Sequence, residues 1–202
     1  EFKGSESVVE GGSISISIQS DITPRKIEIT NCDFSGNKAN KGASIMISVE
    51  AKKSVNSIEI VACTFTSNEV QYGGGIYYHY TSSSLPTSTT NSDDCALYAK
   101  NCTFSTIKLN GDGGAIYISL KDYEPENRIE INGCTFKDII NADSDIGEEN
   151  GGSIYYTFSS SSSSSKNLLD TREGEIEYSF SVTDCTFTSI MASYYGGAIY
   201  MS

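Results

Sequence analysis

The sequence has one histidine, His79, no Cys-x-x-Cys and no Gly-x-Ser-x-Gly. A lone imidazole in the run Tyr77-Tyr78-His79-Tyr80 is poor material for a catalytic triad, and the spacing of a thiolate metal site is missing. Positive charge is also scarce: 14 Lys and Arg stand against 26 Asp and Glu, a formal net charge of -12. Such a surface repels phosphate backbones and anionic lipid, which argues against nucleic-acid binding. No apolar run approaches the roughly 20 residues of a membrane-spanning helix. The opening EFKGSESVVEGG lacks the pattern of a signal peptide, so the expectation is that any targeting segment is removed or lies outside this sequence. Proline is rare, 3 residues against 18 Gly, and the chain is rich in Ser, Thr, Ile and Tyr. That composition suits strands and turns rather than helices or disorder.

What is present is a repeat. A Gly-rich signature recurs as Gly11-Gly12-Ser13-Ile14, Lys41-Gly42-Ala43-Ser44, Gly73-Gly74-Gly75-Ile76, Gly113-Gly114-Ala115-Ile116, Gly151-Gly152-Ser153-Ile154 and Gly196-Gly197-Ala198-Ile199. Taking 12, 42, 74, 114, 152 and 197 as equivalent gives spacings of 30, 32, 40, 38 and 45. Between these lie Cys32-Asp33-Phe34, Cys63-Thr64-Phe65, Cys102-Thr103-Phe104, Cys134-Thr135-Phe136 and Cys185-Thr186-Phe187. Each Cys follows a third alternating segment: Ile27-Glu28-Ile29, Ile58-Glu59-Ile60, Leu97-Tyr98-Ala99, Ile129-Glu130-Ile131 and Phe180-Ser181-Val182.

Alternation with period two marks half-buried strands. A unit of three such strands cannot bury its own apolar face, whereas stacked units pair each strand with its equivalent about 4.8 Å away. The expected fold is therefore all-β: a right-handed parallel β-helix of about six rungs, three strands per rung. The glycine pair fits a corner that needs positive φ or close backbone approach. Residues 1–202 read as a single domain, part of a longer solenoid or one stacked end to end on like subunits into a filament. Ser/Thr-rich insertions at 81–94 and 159–170 leave the coil at one corner and have linker composition. A second variable site, 141–150, follows Phe136.

The Gly-Gly-Ala-Ile of 113–116 and 196–199, with the Phe-x-x-Asn of 34–37 and 65–68, resembles the repeats of polymorphic outer-membrane proteins, large surface adhesins with a β-helical passenger. Ile107, Ile139 and Ile190 replace the Asn in the other units, and the family's membrane-anchoring barrel is absent from this sequence. The resemblance implies a β-helix and a cell-surface or extracellular role.

Several columns follow from the repeat. Cys32, Cys63, Cys102, Cys134 and Cys185 should form a core ladder beside Phe34, Phe65, Phe104, Phe136 and Phe187. Free packed thiols and vertical disulfides are both open readings of the Cys ladder. Cys95 lies off it. Three positions beyond the second Gly come Ser15, Ile45, Tyr77, Tyr117, Tyr155 and Tyr200. Tyr77, Tyr117, Tyr155 and Tyr200 should point outward, either stacking on one another or offering a platform to a sugar or protein partner. Unit two is ambiguous, because Ser44-Ile45-Met46-Ile47 alternates in the other phase.

Glu28, Glu59 and Glu130 share a column that Tyr98 and Ser181 interrupt, so a solvated face is preferred to an active site. The outward threonines Thr64, Thr103, Thr135 and Thr186 are joined by Asp33, too irregular an array for ice binding. Asp143, Asp145 and Glu148 read as a calcium loop or a simple acidic loop, with no other cofactor expected. A sequon stands at Asn101-Cys102-Thr103, and the Ser/Thr loops suit O-glycosylation if the protein is a secreted glycoprotein. The leading function is a non-enzymatic structural or adhesin-like surface module, with further repeats, like subunits or glycans as partners. The alternative is a carbohydrate-active lyase or hydrolase of the β-helix class, which would need converging carboxylates in an outer groove.

Overall fold

A computed structural model describes residues 1–7, 10–20, 25–51, 56–82, 95–111, 113–121, 128–141, 152–159, 179–192 and 196–202. The first coil holds β1 (Phe2–Lys3), β2 (Ile14–Ser20) and β3 (Arg25–Thr30). The second holds β4 (Asp33–Ser35), β5 (Lys38–Lys41), β6 (Ile45–Ala51) and β7 (Asn56–Val61). The third repeats this as β8 (Thr64–Thr66), β9 (Glu69–Tyr72), β10 (Ile76–Ser82) and β11 (Cys95–Lys100). The fourth holds β12 (Thr103–Leu109), β13 (Ile116–Lys121) and β14 (Arg128–Asn132). The fifth holds β15 (Thr135–Asn141), β16 (Ile154–Ser159) and β17 (Ser179–Thr183), and β18 (Thr186–Met191) and β19 (Ile199–Met201) follow.

Equivalent strands pair in parallel into three sheets. The first runs β1-β4-β8-β12-β15-β18, with β5 and β9 beside it; the second runs β2-β6-β10-β13-β16-β19; the third runs β3-β7-β11-β14-β17. This is a parallel β-helix. Of the insertions at 81–94 and 159–170, residues 83–94 and 160–170 lie outside the described residues, as do 142–150 and 171–178.

Three left-handed positions per coil turn the chain. One precedes each Cys: Asn31, Ala62, Asn101, Gly133 and Asp184, with φ of 53–62°. A second falls two residues after each Phe, at Gly4, Gly36, Ser67, Thr106, Asp138 and Ser189. The third is the first glycine of the pair, at Gly11, Gly42, Gly73, Gly113 and Gly196. The second glycine answers a different need. A Cβ on Gly114 would lie 1.8 Å from the carbonyl oxygen of Gly152, so the backbones of successive coils touch there.

Register corrects the reading of unit two. Ile45 pairs with Ile14 and Ile76, so Gly42 is equivalent to the first glycine, and Ala43 stands in the second place. Ile45 therefore points inward, and Met46, in register with Ser15 and Tyr77, takes the outward position. A unit with a single glycine matches either phase by sequence, and pairing of the strands decides between them.

Inside, the columns are continuous. Ile29, Ile60, Ala99, Ile131 and Val182 are in register. The phenylalanine column begins one coil earlier than the repeat suggested, at Phe2, which pairs with Phe34. Six rings stack from Phe2 to Phe187 with centroids 4.7–5.0 Å apart and planes within 8° of parallel. Each such contact contributes about 0.5–1.5 kcal/mol beyond the apolar area it buries. Tyr78 also points inward, fully buried between the equivalent Ile47 and Ile118.

The Phe-x-x-Asn variation has a structural correlate. Where Asn is present, at 37 and 68, the strand is interrupted, giving β4 and β5 or β8 and β9. Asn37 Oδ1 accepts the Ser5 N–H at 3.0 Å, and Asn68 Oδ1 accepts the Asn37 N–H at 2.9 Å. Both Asn are buried, and side-chain amides stand in for the backbone acceptor at the bend. Where Ile107, Ile139 or Ile190 takes the place, β12, β15 and β18 run through it unbroken.

Candidate functional site

The five cysteines of the ladder are free thiols that line the corner between the third sheet and the first. Each Sγ sits under a backbone carbonyl: Cys63 under Ile29 O, Cys102 under Ile60 O, and Cys134 under Ala99 O, all at 3.4 Å. The Cys102 N–H donates to Cys134 Sγ and the Cys134 N–H to Cys185 Sγ, both at 3.4 Å. Neighbouring N–H groups at this corner use the previous coil instead: Thr103 N reaches Cys63 O and Thr135 N reaches Cys102 O, at 2.9 Å. At Cys102 and Cys134 the thiol of the next coil thus accepts the N–H that, among the described residues, no carbonyl takes. Thiol contacts to Cys134 and Cys63, then burial, push the pKa of Cys102 up, so it stays protonated. Cys95 opens β11, and the expectation for its side chain lies outside the described residues.

On the outer face of the second sheet Tyr77, Tyr117 and Tyr155 stack with centroids 5.0 and 4.7 Å apart and planes within 9°. Tyr200 continues the column at 5.1 Å, tilted by 36°. Tyr77 and Tyr155 are each only 8% exposed, because each ring covers its neighbour's face. Tyr72 meets Tyr117 edge-on at 5.6 Å, and Lys41 Nζ, paired to Glu10 at 3.0 Å, lies 5.6 Å from the Tyr77 ring centre. Burial, then the charge of Glu10 and the neighbouring Tyr72, pushes Tyr77 up to about 12, so its hydroxyl stays protonated. A Cβ on Gly113 would fall 2.3 Å from the Tyr117 ring, so the glycine corner is also the shelf on which the tyrosines lie.

Beside the tyrosines runs a column of Ser17, Ser48, His79, Ser119 and Thr157. His79 Nδ1 is 3.2 Å from Ser119 Oγ, and Nε2 is 2.9 Å from Thr81 Oγ1. Burial, then Lys41 and Lys121, lowers the His79 pKa and keeps the ring neutral.

The Glu28, Glu59, Tyr98, Glu130, Ser181 column is in register on the third sheet. Lys26 Nζ reaches both Glu28 and Glu59, at 2.6 and 3.3 Å, and Lys100 lies 3.6 Å from Glu130 and 4.7 Å from the Tyr98 ring centre. These carboxylates are spent on lysines along an exposed face. Asp33, Thr64, Thr103, Thr135 and Thr186 likewise align on the first sheet. Asp143, Asp145 and Glu148 lie outside the described residues; among the described ones no three of His, Cys, Asp and Glu gather as metal ligands.

One surface escaped the sequence reading. Past the left-handed residue after each Phe, Lys38, Glu69 and Asn110 come together under an open groove. The only signal was polar alternation in KANK and EVQY, short segments that the repeat signatures do not include.

Residues 184–202 match the Chlamydia polymorphic membrane protein repeat. The match covers the left-handed Asp184, Ser189 and Gly196, the Cys-Thr-Phe strand and the Gly-Gly-Ala-Ile corner, elements that recur coil after coil in register. Comparison with curated proteins and with solved structures gives no match. Over that stretch the chain is similar to the repeat of a surface-associated, adhesin-like family.

Proposed function

We propose that this chain is a non-enzymatic, surface-displayed β-helical module that works as an adhesin-type contact surface. The observation that carries the reading is the repeat match at 184–202, whose elements have counterparts in the earlier coils. The arrangement supports it further. The regular columns are occupied with stacking, ion pairing and backbone satisfaction, which builds a stiff rod with long outer faces. A rod of this kind holds a contact surface away from the cell and repeats it along its length. We place it outside the cell on the same ground.

The test is adhesion against turnover. Beads coated with the purified chain should adhere to epithelial monolayers well above albumin-coated beads, and the chain should leave a panel of polysaccharides intact. Turnover that persists through repurification and disappears in Glu59→Gln or Glu130→Gln would replace this reading with that of a carbohydrate-active enzyme. Absence of adhesion to any cell or matrix surface would also count against it.

A further inference from the structure

Beyond the left-handed bend of the first sheet the inward positions are Ala39, Val70 and Leu109, all buried. The outward positions form two columns. The first is Glu6, Lys38, Glu69 and Lys108, alternating in sign: the Glu6 backbone pairs with that of Lys38, Lys38 is in register with Glu69, and Glu69 with Lys108. Lys38 Nζ lies 3.4 Å from Glu69 Oε1, and Asn110 Nδ2 donates to the same oxygen at 3.2 Å. Burial works against ionisation of Glu69, but Asn110 and Lys38 outweigh it and hold the carboxyl below its ordinary range. The second column is made of amides, Asn40, Gln71 and Asn110. Over both lies a groove of about 390 Å³ lined by Glu6, Lys38, Asn40, Glu69, Gln71 and Asn110 among others. Asn40 and Gln71 are exposed, and among the described residues their amides have no hydrogen-bond partner.

The chemistry of the lining selects its ligand. An extended peptide would need a free strand edge, but β5 pairs with β9 and contacts residues 5–7 on its other side, and β9 lies between β5 and β12. Polyanions are repelled by two carboxylates against one lysine in the groove and by the net charge of -12. An apolar ligand would strand the polar lining without partners. A neutral ligand dense in adjacent donors and acceptors remains. Each carboxamide offers a donor and an acceptor in one plane, which is what two neighbouring hydroxyls of a sugar ring require. The volume falls within the range of about 300–1,000 Å³ typical of small-molecule sites.

We propose that this groove binds a neutral saccharide, with Asn40 and Gln71 reading adjacent hydroxyls and Glu69, oriented by Lys38 and Asn110, accepting from a third. The inference rests on the adhesin-type reading and deepens it, naming the sugar as the contact the module makes.

The purified chain is first screened on an array of neutral, sialylated and sulfated glycans. The strongest neutral glycan is then titrated by calorimetry against the parent chain and the Asn40→Ala/Gln71→Ala double variant. Both side chains are exposed, so the variant should melt at the parent's temperature. Expected is retention of a neutral glycan and at least about a tenfold loss of affinity in the variant. No neutral glycan bound, preference for sulfated or sialylated glycans alone, capture of a peptide instead, or equal affinity in the variant would each overturn the proposal. The bead assay separates the two readings. Beads that adhere equally with parent and variant, with no neutral glycan bound, remove the groove and leave the adhesin. Sugar binding lost in the variant, without adhesion to any cell, keeps the groove and removes the adhesin.

Discussion

The backbone N–H of Cys102 donates to the thiol of Cys134 in the next coil, 3.4 Å away. The corner has turned away from ordinary strand pairing at that point, and a side chain supplies the missing acceptor. Cys134→Ala removes it and leaves a buried N–H unpaired. Stability should fall by about 1–3 kcal/mol, read as a shift in denaturation midpoint at constant slope. An unchanged midpoint would show that the sulfur is filler and not an acceptor.

The thiols should also be chemically silent. Cys63, Cys102 and Cys134 are buried, out of reach of a reagent in solution. Iodoacetamide at about pH 8 should leave these three unlabelled in the native chain and label them all in denaturant, because only an exposed thiolate reacts. Rapid native labelling at Cys102, located by mass spectrometry, would contradict this.

Phe104 stacks on Phe65 at 4.7 Å and on Phe136 at 4.9 Å. Phe104→Ala opens a hole in the middle of the column and should cost about 3–5 kcal/mol, the usual range for a buried aromatic. A loss below about 1 kcal/mol in thermal or chemical unfolding would mean the coils close over the gap, contrary to the packing described.

Ala62 is exposed and has φ of 53°, in a column otherwise filled by Asn31, Asn101, Gly133 and Asp184. An alanine there carries the left-handed penalty that asparagine relieves. Ala62→Asn should raise stability by about 0.5–1 kcal/mol. A drop in melting temperature would be the opposite of what the backbone demands.

His79 gives the fold a slope with pH. Its pKa is lowered from 6.5 by burial and by Lys41 and Lys121. The unfolded chain therefore binds the proton more readily than the folded one, and stability is lost as pH falls below 6.5 towards the lower folded value. Replacing the ring by glutamine, His79→Gln, should flatten the unfolding free energy in that window relative to the parent. Parallel curves for the two proteins would remove His79 as the cause.

The Ile, Cys and Phe columns were legible in the sequence because each occupies a fixed place beside its neighbours in an alternating strand. Ala62 and Thr106 were not, since neither residue type advertises a left-handed conformation that the surrounding coils impose on it. Phe2 was missed because only the Phe of the Cys-x-Phe signature falls within these residues. Tyr78 sits among four aromatic or imidazole side chains in succession, where alternation of polarity gives no signal. Unit two slipped by one because one glycine fits two phases, and only the pairing of Ile45 with Ile14 and Ile76 fixes it. The groove at Asn40 and Gln71 follows from the bend at Gly36 and Ser67, which has no sequence signature shared between Gly and Ser.

Every link from the second sheet to the third falls at one corner: 21–24, 52–55, 83–94, 122–127 and 160–178. The flanking strands keep their register whether that link has four residues or nineteen. Lengthening from the shortest to the longest raises loop-closure entropy by only about 1.4 kcal/mol. This corner is accordingly where the molecule is evolvable, free to gain or exchange sequence while the columns stay fixed. A foreign epitope grafted into 83–94 and again into 160–178 would each time be tethered between the end of a second-sheet strand and the start of a third-sheet strand, two coils apart.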